Sequence, residues 1–93
     1  MIKSFRDKET EAVYKGYQHP KFPFEIIRAA KKKLQILDAA CGLRDLKAPP
    51  SNCLEALRRD RDGQWSIRIN KQWRLCFVWE GNNAYEVEIV DYH

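Results

Sequence analysis

The sequence predicts an α+β fold: two N-terminal helices packed on one face of a twisted, mainly antiparallel β-sheet. Two observations carry that prediction. Apolar residues recur at spacings of three and four as far as Cys41 and at spacings of two after Pro50, so helical periodicity gives way once to strand periodicity. The second half is also punctuated by short polar turns, "DRDG", "NKQ" and "EGNN", at hairpin spacing, which makes neighbouring strands antiparallel. Helices grouped before strands cover one side of the sheet and leave the other open.

Each element has its own local reason. "MIKSF" has strand character, and Ser4 with Asp7 has the spacing of a capping box that opens a first helix. That helix stops near Gly16 and turns Thr10, Val13, Tyr14 and Tyr17 inward. "QHPKFP" is a loop bracketed by prolines. From Phe24 a long amphipathic helix buries Ile26, Ile27, Ala30, Leu34, Leu37 and Cys41 and ends with Gly42 as its C′ residue. Lys31, Lys32 and Lys33 read mostly as its solvated face.

"LRDLKAPPSN" then crosses to the sheet, where "CLEALR" is the first strand of the hairpin series. In "QWSIRIN", Trp65, Ile67 and Ile69 face one way and Ser66, Arg68 and Asn70 the other. In "WRLCFVWE", Trp73, Leu75, Phe77 and Trp79 oppose Arg74, Cys76 and Val78, and "AYEVEIVDYH" closes the sheet. The tryptophans read as core rather than as base-stacking platforms.

Ninety-three residues make one domain, 1–93, because a chain of this size has material for a single core. No apolar run approaches the roughly 18 residues of a membrane span, and "MIKSFRDKE" lacks a signal peptide's apolar stretch. A cytoplasmic protein with no membrane contact is expected. Cys41, Cys53 and Cys76 form no CxxC and no Cys/His pair at ligand spacing, so reduced thiols and no metal are expected. No glycine-rich phosphate loop and no GxSxG is present, which removes support for nucleotide-binding and serine-hydrolase classes.

The net charge is +4, and it is unevenly spread: residues 1–50 carry eleven Lys/Arg against six Asp/Glu, whereas residues 80–91 carry four acids and no base. A basic body with one acidic strand fits an anionic partner met by part of the surface. The open face of the sheet carries Arg68 and Arg74 on adjacent strands, two like charges that repel unless an anion neutralises them. Asp91, Glu55 or a substrate phosphate are the available anions.

The segment "EIVDYH" places three proton-handling groups, Asp91, Tyr92 and His93, side by side. Cleavage of RNA by its own 2′-hydroxyl needs a base, cations for the developing phosphorane charge and an acid for the leaving oxygen. Each role has a candidate here. Strict alternation puts Asp91 and His93 on one face and Tyr92 on the other, so the three converge only where the strand end twists or peels away.

"MIKSF", "DRDGQWSIRINKQWRLCFVWE" and "VEIVDYH", in this order along essentially the whole chain, resemble the HigB-type toxins. These are also called the plasmid maintenance system killer family, within the RelE/ParE toxin superfamily. The resemblance implies a RelE/ParE-like fold and the toxin component of a type II toxin–antitoxin system. It implies a ribosome-dependent mRNA endoribonuclease that inhibits translation by metal-independent 2′-hydroxyl transesterification, without a cofactor. The implied partners are a HigA-like helix-turn-helix antitoxin and the ribosome with its mRNA and rRNA, operator DNA being reached only through the antitoxin.

Residue by residue, Asp91, Tyr92 and His93 stand at the family's terminal catalytic positions, and Arg74 at its strand arginine, a phosphate clamp. Better-studied members carry a histidine on the first strand after the helices, where this sequence has Glu55. Glu55 is then either the base in place of that histidine or an ion-pair partner of Arg74 in a weaker enzyme. Arg58, Arg59 and Arg61 fit contacts with ribosomal RNA, and Arg68 and Lys71 complete the substrate-binding set. Two other readings share the resemblance: a ParE-like toxin that binds DNA gyrase without catalysis, and a weakly active toxin that serves mainly in operon repression.

Overall fold

The computed structural model describes residues 1–92. Helix α1 (Lys8–Tyr14) starts where Asp7, in extended conformation, accepts the Thr10 N–H at 2.7 Å. The cap is therefore Asp7 alone and not a box built on Ser4. Ser4 instead accepts the Glu86 N–H at 2.9 Å, which ties the N-terminal segment to the sheet. Thr10 and Val13 are buried as the periodicity requires, but Tyr17 lies beyond the helix and is 66% exposed.

Helix α2 (Phe24–Ala39) buries Ile26, Ala30, Leu34 and Leu37 at the expected spacings. It ends earlier than Gly42. Ala40 turns extended and is itself buried, Gly42 is extended at φ −164, and Cys41 is exposed. Leu46, in the first of two 3₁₀ turns, Leu43–Lys47 and Pro50–Asn52, is fully buried in the core cluster, whereas Cys41 is not. Asn52 holds this crossing together from inside: its amide donates to the carbonyls of Leu46 and Ala48, and its oxygen accepts from Lys33. Lys33 is thus turned inward rather than solvated, and partial burial lowers the pKa of its ammonium group.

The sheet has four strands in the order β1 (Glu55–Ala56), β2 (Gln64–Arg68), β3 (Trp73–Glu80) and β4 (Asn83–Asp91), all antiparallel. Strand β1 is shorter than the "CLEALR" pattern because Cys53 and Arg59 adopt left-handed conformations, φ 47 and φ 60, on either side of it. "MIKSF" runs parallel to β4 without becoming a strand. It is joined by bridges at Ile2–Ala84 and Phe5–Val87. A bulge separates those bridges, since Glu86 takes φ 54 and the β3–β4 register shifts between Cys76 and Val78.

Both helices lie on one face of the sheet. Ile67, Leu75, Phe77, Val87 and Ile89 meet Val13, Ile26, Ala30, Leu34 and Leu37 in one core cluster, with Trp73 at its margin and Trp65 and Trp79 half-buried against it. Each fully buried aliphatic or aromatic side chain contributes about 1.5–3 kcal/mol. This layer is what holds the open face rigid. No described helix is long and apolar enough to cross a membrane.

Candidate active site

Residues paired across an antiparallel ladder project from the same face, so the register reads out the open face row by row. One row is Glu55, Ser66, Cys76 and Glu88, and the next is Arg68, Arg74 and Val90. Beyond the second row stands Tyr92, whose backbone N–H continues the ladder to the Gln72 carbonyl. At this end of the sheet an open cleft of about 490 Å³ is lined by Cys53, Glu55, Arg68, Asn70, Lys71, Arg74 and Tyr92. Three cations face one carboxylate there, which suits a polyanion.

Arg74 is held at three points. Its Nε donates to Ser66 Oγ at 2.8 Å, and its Nη2 donates to the Cys53 carbonyl at 2.7 Å and, at 3.4 Å, to the Ser66 carbonyl. Arg68, directly opposite Arg74 in the register, sends its Nε to the Asn70 carbonyl at 3.0 Å. Among the described residues neither arginine forms an ion pair within 4.0 Å, so Glu55 lines the cleft without neutralising Arg74.

Cys76 is fully buried, and Tyr92 lies near enough for phenol and thiol to influence each other's titration. Burial pushes the Tyr92 phenol above its ordinary value and the neighbouring thiol adds to the rise, while Arg61 and Arg74 pull the other way. Burial likewise raises the Cys76 thiol, against Arg61 and with Glu88. At neutral pH the phenol is protonated, so it has a proton to give rather than a site to take one. Arg61 reaches this row from the 3₁₀ turn Arg59–Arg61 and donates to Gln64 Oε1 and Glu88 Oε1, each at 3.1 Å.

The sequence-predicted residues separate into groups. Glu55, Arg68, Lys71, Arg74 and Tyr92 share the cleft. Asp91 does not: it is the register partner of Trp73 on the helix-covered face, and its Oδ1 accepts from Gln72 Nε2 at 2.9 Å. Asp91 and Tyr92 thus follow the strict alternation of the strand. Arg61 is engaged with Glu88, and Arg58 and Arg59 are exposed on the turn beside it. His93 lies outside the described residues. Ser66, Cys53, Asn70 and Cys76 were not singled out from sequence; the signal for Ser66 and Cys76 was their place on the alternation beside Arg68 and Arg74, whereas nothing announced the Cys53 carbonyl.

A family model described as the RelE-like toxin of the type II toxin–antitoxin system HigB matches residues 3–93, and the chain belongs to that family. It is 44% identical over 80 residues to Toxin HigB-1 of Vibrio cholerae serotype O1, covering 85% of this chain and 84% of that protein. It is 30% identical to Endoribonuclease HigB of Proteus vulgaris over 93 residues, all of both chains. Among solved structures, the YoeB–YefM complex from Staphylococcus aureus shares the fold, with a TM-score of 0.61 at 17% identity over 100% of this chain and 98% of that one.

Proposed function

We propose that this toxin is a ribosome-dependent endoribonuclease that cuts mRNA and so arrests translation. The observation that carries the reading is the meeting of Arg74, Tyr92 and Glu55 in one cleft with Arg68 and Lys71 at its edge. The name of the Proteus vulgaris relative, Endoribonuclease HigB, supports the same reaction class.

In the proposed reaction the Glu55 carboxylate takes the proton of an RNA 2′-hydroxyl. The 2′ oxygen then bonds to the adjacent phosphorus, and the bond from phosphorus to the 5′ oxygen breaks. Tyr92, with His93 beside it in sequence, returns a proton to that leaving oxygen. The products are a 2′,3′-cyclic phosphate and a 5′-hydroxyl, and no cofactor or metal enters the balance. Arg74 takes up the charge of the phosphorane, and Arg68 and Lys71 hold the flanking phosphates. Asp91 acts through Gln72, whose amide it accepts and whose carbonyl holds the Tyr92 N–H.

The ribosome supplies the alignment of substrate that so few groups cannot supply alone, and Arg58, Arg59 and Arg61 meet its RNA. A HigA-like antitoxin is the protein partner, and it carries the operator-binding function of the pair.

The test is mapping of RNA 5′ ends after brief induction of the toxin without an antitoxin, beside Arg74→Ala and Tyr92→Phe. The reading expects new ends inside translated frames, at a fixed codon phase, that both substitutions remove. Growth arrest without such ends would move the target to gyrase or another bound protein. No arrest would leave a partner in repression.

A further inference from the structure

Ser66 is fully buried on a strand between Trp65 and Ile67, and nothing in the reaction above uses it. A buried hydroxyl at the centre of a sheet needs a bonding partner to be tolerated. Its partner is Arg74 Nε, at 2.8 Å. We infer that Ser66 is the positioning residue for Arg74 and decides which part of the guanidinium is offered to the scissile phosphate; the inference rests on the endoribonuclease reading.

A guanidinium is a rigid planar fork of five N–H groups. Ser66 engages it twice, through Oγ at Nε and through its carbonyl at Nη2, and the Cys53 carbonyl engages Nη2 again at 2.7 Å. Cys53 reaches it because a left-handed residue, φ 47, closes the 3₁₀ turn ahead of β1. Nη1 has no partner among the described residues, so both of its N–H groups remain for a phosphate oxygen.

Positioning matters here because of Arg68. It is the direct register partner of Arg74, and its charge tends to push an unrestrained neighbour toward solvent. Its own Nε is bonded to the Asn70 carbonyl at 3.0 Å, so the two guanidinium groups are drawn to different acceptors. Donors fixed before the phosphorane forms need no reorganisation as its charge develops. An arginine released from Ser66 still attracts RNA but loses that alignment.

The experiment measures single-turnover cleavage of a defined mRNA on purified translating ribosomes, as a function of toxin concentration, with the full chain. The variants are Ser66→Ala, Ser66→Thr, Arg74→Lys and the double Ser66→Ala/Arg74→Lys. The expected result is a maximal rate lowered about 10- to 100-fold by Ser66→Ala, with the half-saturating concentration changed less than about threefold. Ser66→Thr, which keeps the acceptor, restores most of the rate. In the Arg74→Lys background, where no fork is left to aim, Ser66→Ala costs nothing further.

Wild-type cleavage by Ser66→Ala overturns the inference, as does an equal loss in both backgrounds, which marks a merely structural serine. Should Ser66→Ala fail to fold, Ser66→Cys, nearly isosteric and a weak acceptor, carries the same comparison. Undiminished cleavage by Arg74→Lys here, and by Arg74→Ala in the mapping of RNA ends, would overturn Arg74's part in the reaction and this inference with it. A loss confined to Ser66→Ala in the presence of Arg74 supports it.

Discussion

Arg68 and Arg74 stand directly opposite each other across the β2–β3 ladder, a like-charged pair where a sheet favours opposite charges or apolar contacts. The hydrogen bonds to Asn70 and Ser66 draw the two groups apart without removing their charge. Such an arrangement trades stability for a surface that attracts an anion.

Arg68→Gln should therefore stabilise the folded protein while weakening its hold on RNA. The gain should be about 0.2–1 kcal/mol, the range of a cross-strand pair, and urea unfolding measures it. Cleavage on ribosomes should need a higher toxin concentration for half-saturation. A variant less stable than the parent would mean that the pair is already neutralised in the free protein.

The buried Cys76 thiol makes stability sensitive to alkali. Burial raises the folded-state pKa of Cys76 above 9.0, so the folded state binds that proton more tightly than the unfolded chain does. The associated stability is intact below 9.0 and is lost as the pH climbs from there toward the raised folded value. Tyr92 and Tyr14 are shifted upward as well and add their losses only above 10.0. Thermal midpoints measured against pH should decline from the thiol's range in the parent, and Cys76→Ala should delay the decline to the phenols' range. The same onset in both would remove Cys76 as its source.

Much of this architecture is legible in the sequence because one period serves one layer. Spacings of three and four named the buried face of α2, and alternation along β2, β3 and the end of β4 sorted the sheet into a core face and an open face, down to the separation of Asp91 from Tyr92. The errors fall where backbone conformation outruns pattern. Ala40 leaves the helix before Gly42, Cys53 turns left-handed ahead of β1, and Glu86 bulges out of β4, each at a residue whose side chain gives no warning. The cleft itself was half legible. Side-chain chemistry pointed to Arg74, Tyr92 and Glu55, while the acceptors that fix Arg74 are a small hydroxyl and a main-chain carbonyl, which any sequence supplies in abundance.

Asp38 shows the same limit in the helical layer. Its two oxygens accept from the Ile2 N–H at 2.9 Å and the Tyr14 hydroxyl at 3.0 Å, so one carboxylate on α2 joins the N-terminal segment to α1. Asp38→Ala leaves both donors without that acceptor and should cost about 1–3 kcal/mol, measured by urea unfolding. Because the cleft lies on the opposite face of the sheet, cleavage per folded molecule should not change. A loss of cleavage at full folding would tie the helical layer to the chemistry.

Glu55 offers the sharpest separation of structure from catalysis. It is exposed, lines the cleft, and makes no ion pair with Arg74 among the described residues. Glu55→Gln should therefore change stability by less than about 0.5 kcal/mol, as exposed substitutions do. If the carboxylate is the base, the same substitution removes the acceptor for the 2′-hydroxyl proton and should slow cleavage about 10²- to 10⁴-fold. Glu55→His, which puts an imidazole base at the same position, should then recover cleavage at pH values above the imidazole's own pKa, near 6.5. Single-turnover cleavage on ribosomes, run against pH for all three proteins, reads both effects. A Glu55→Gln variant that cleaves like the parent would move the base to another group of the cleft or to the ribosome itself.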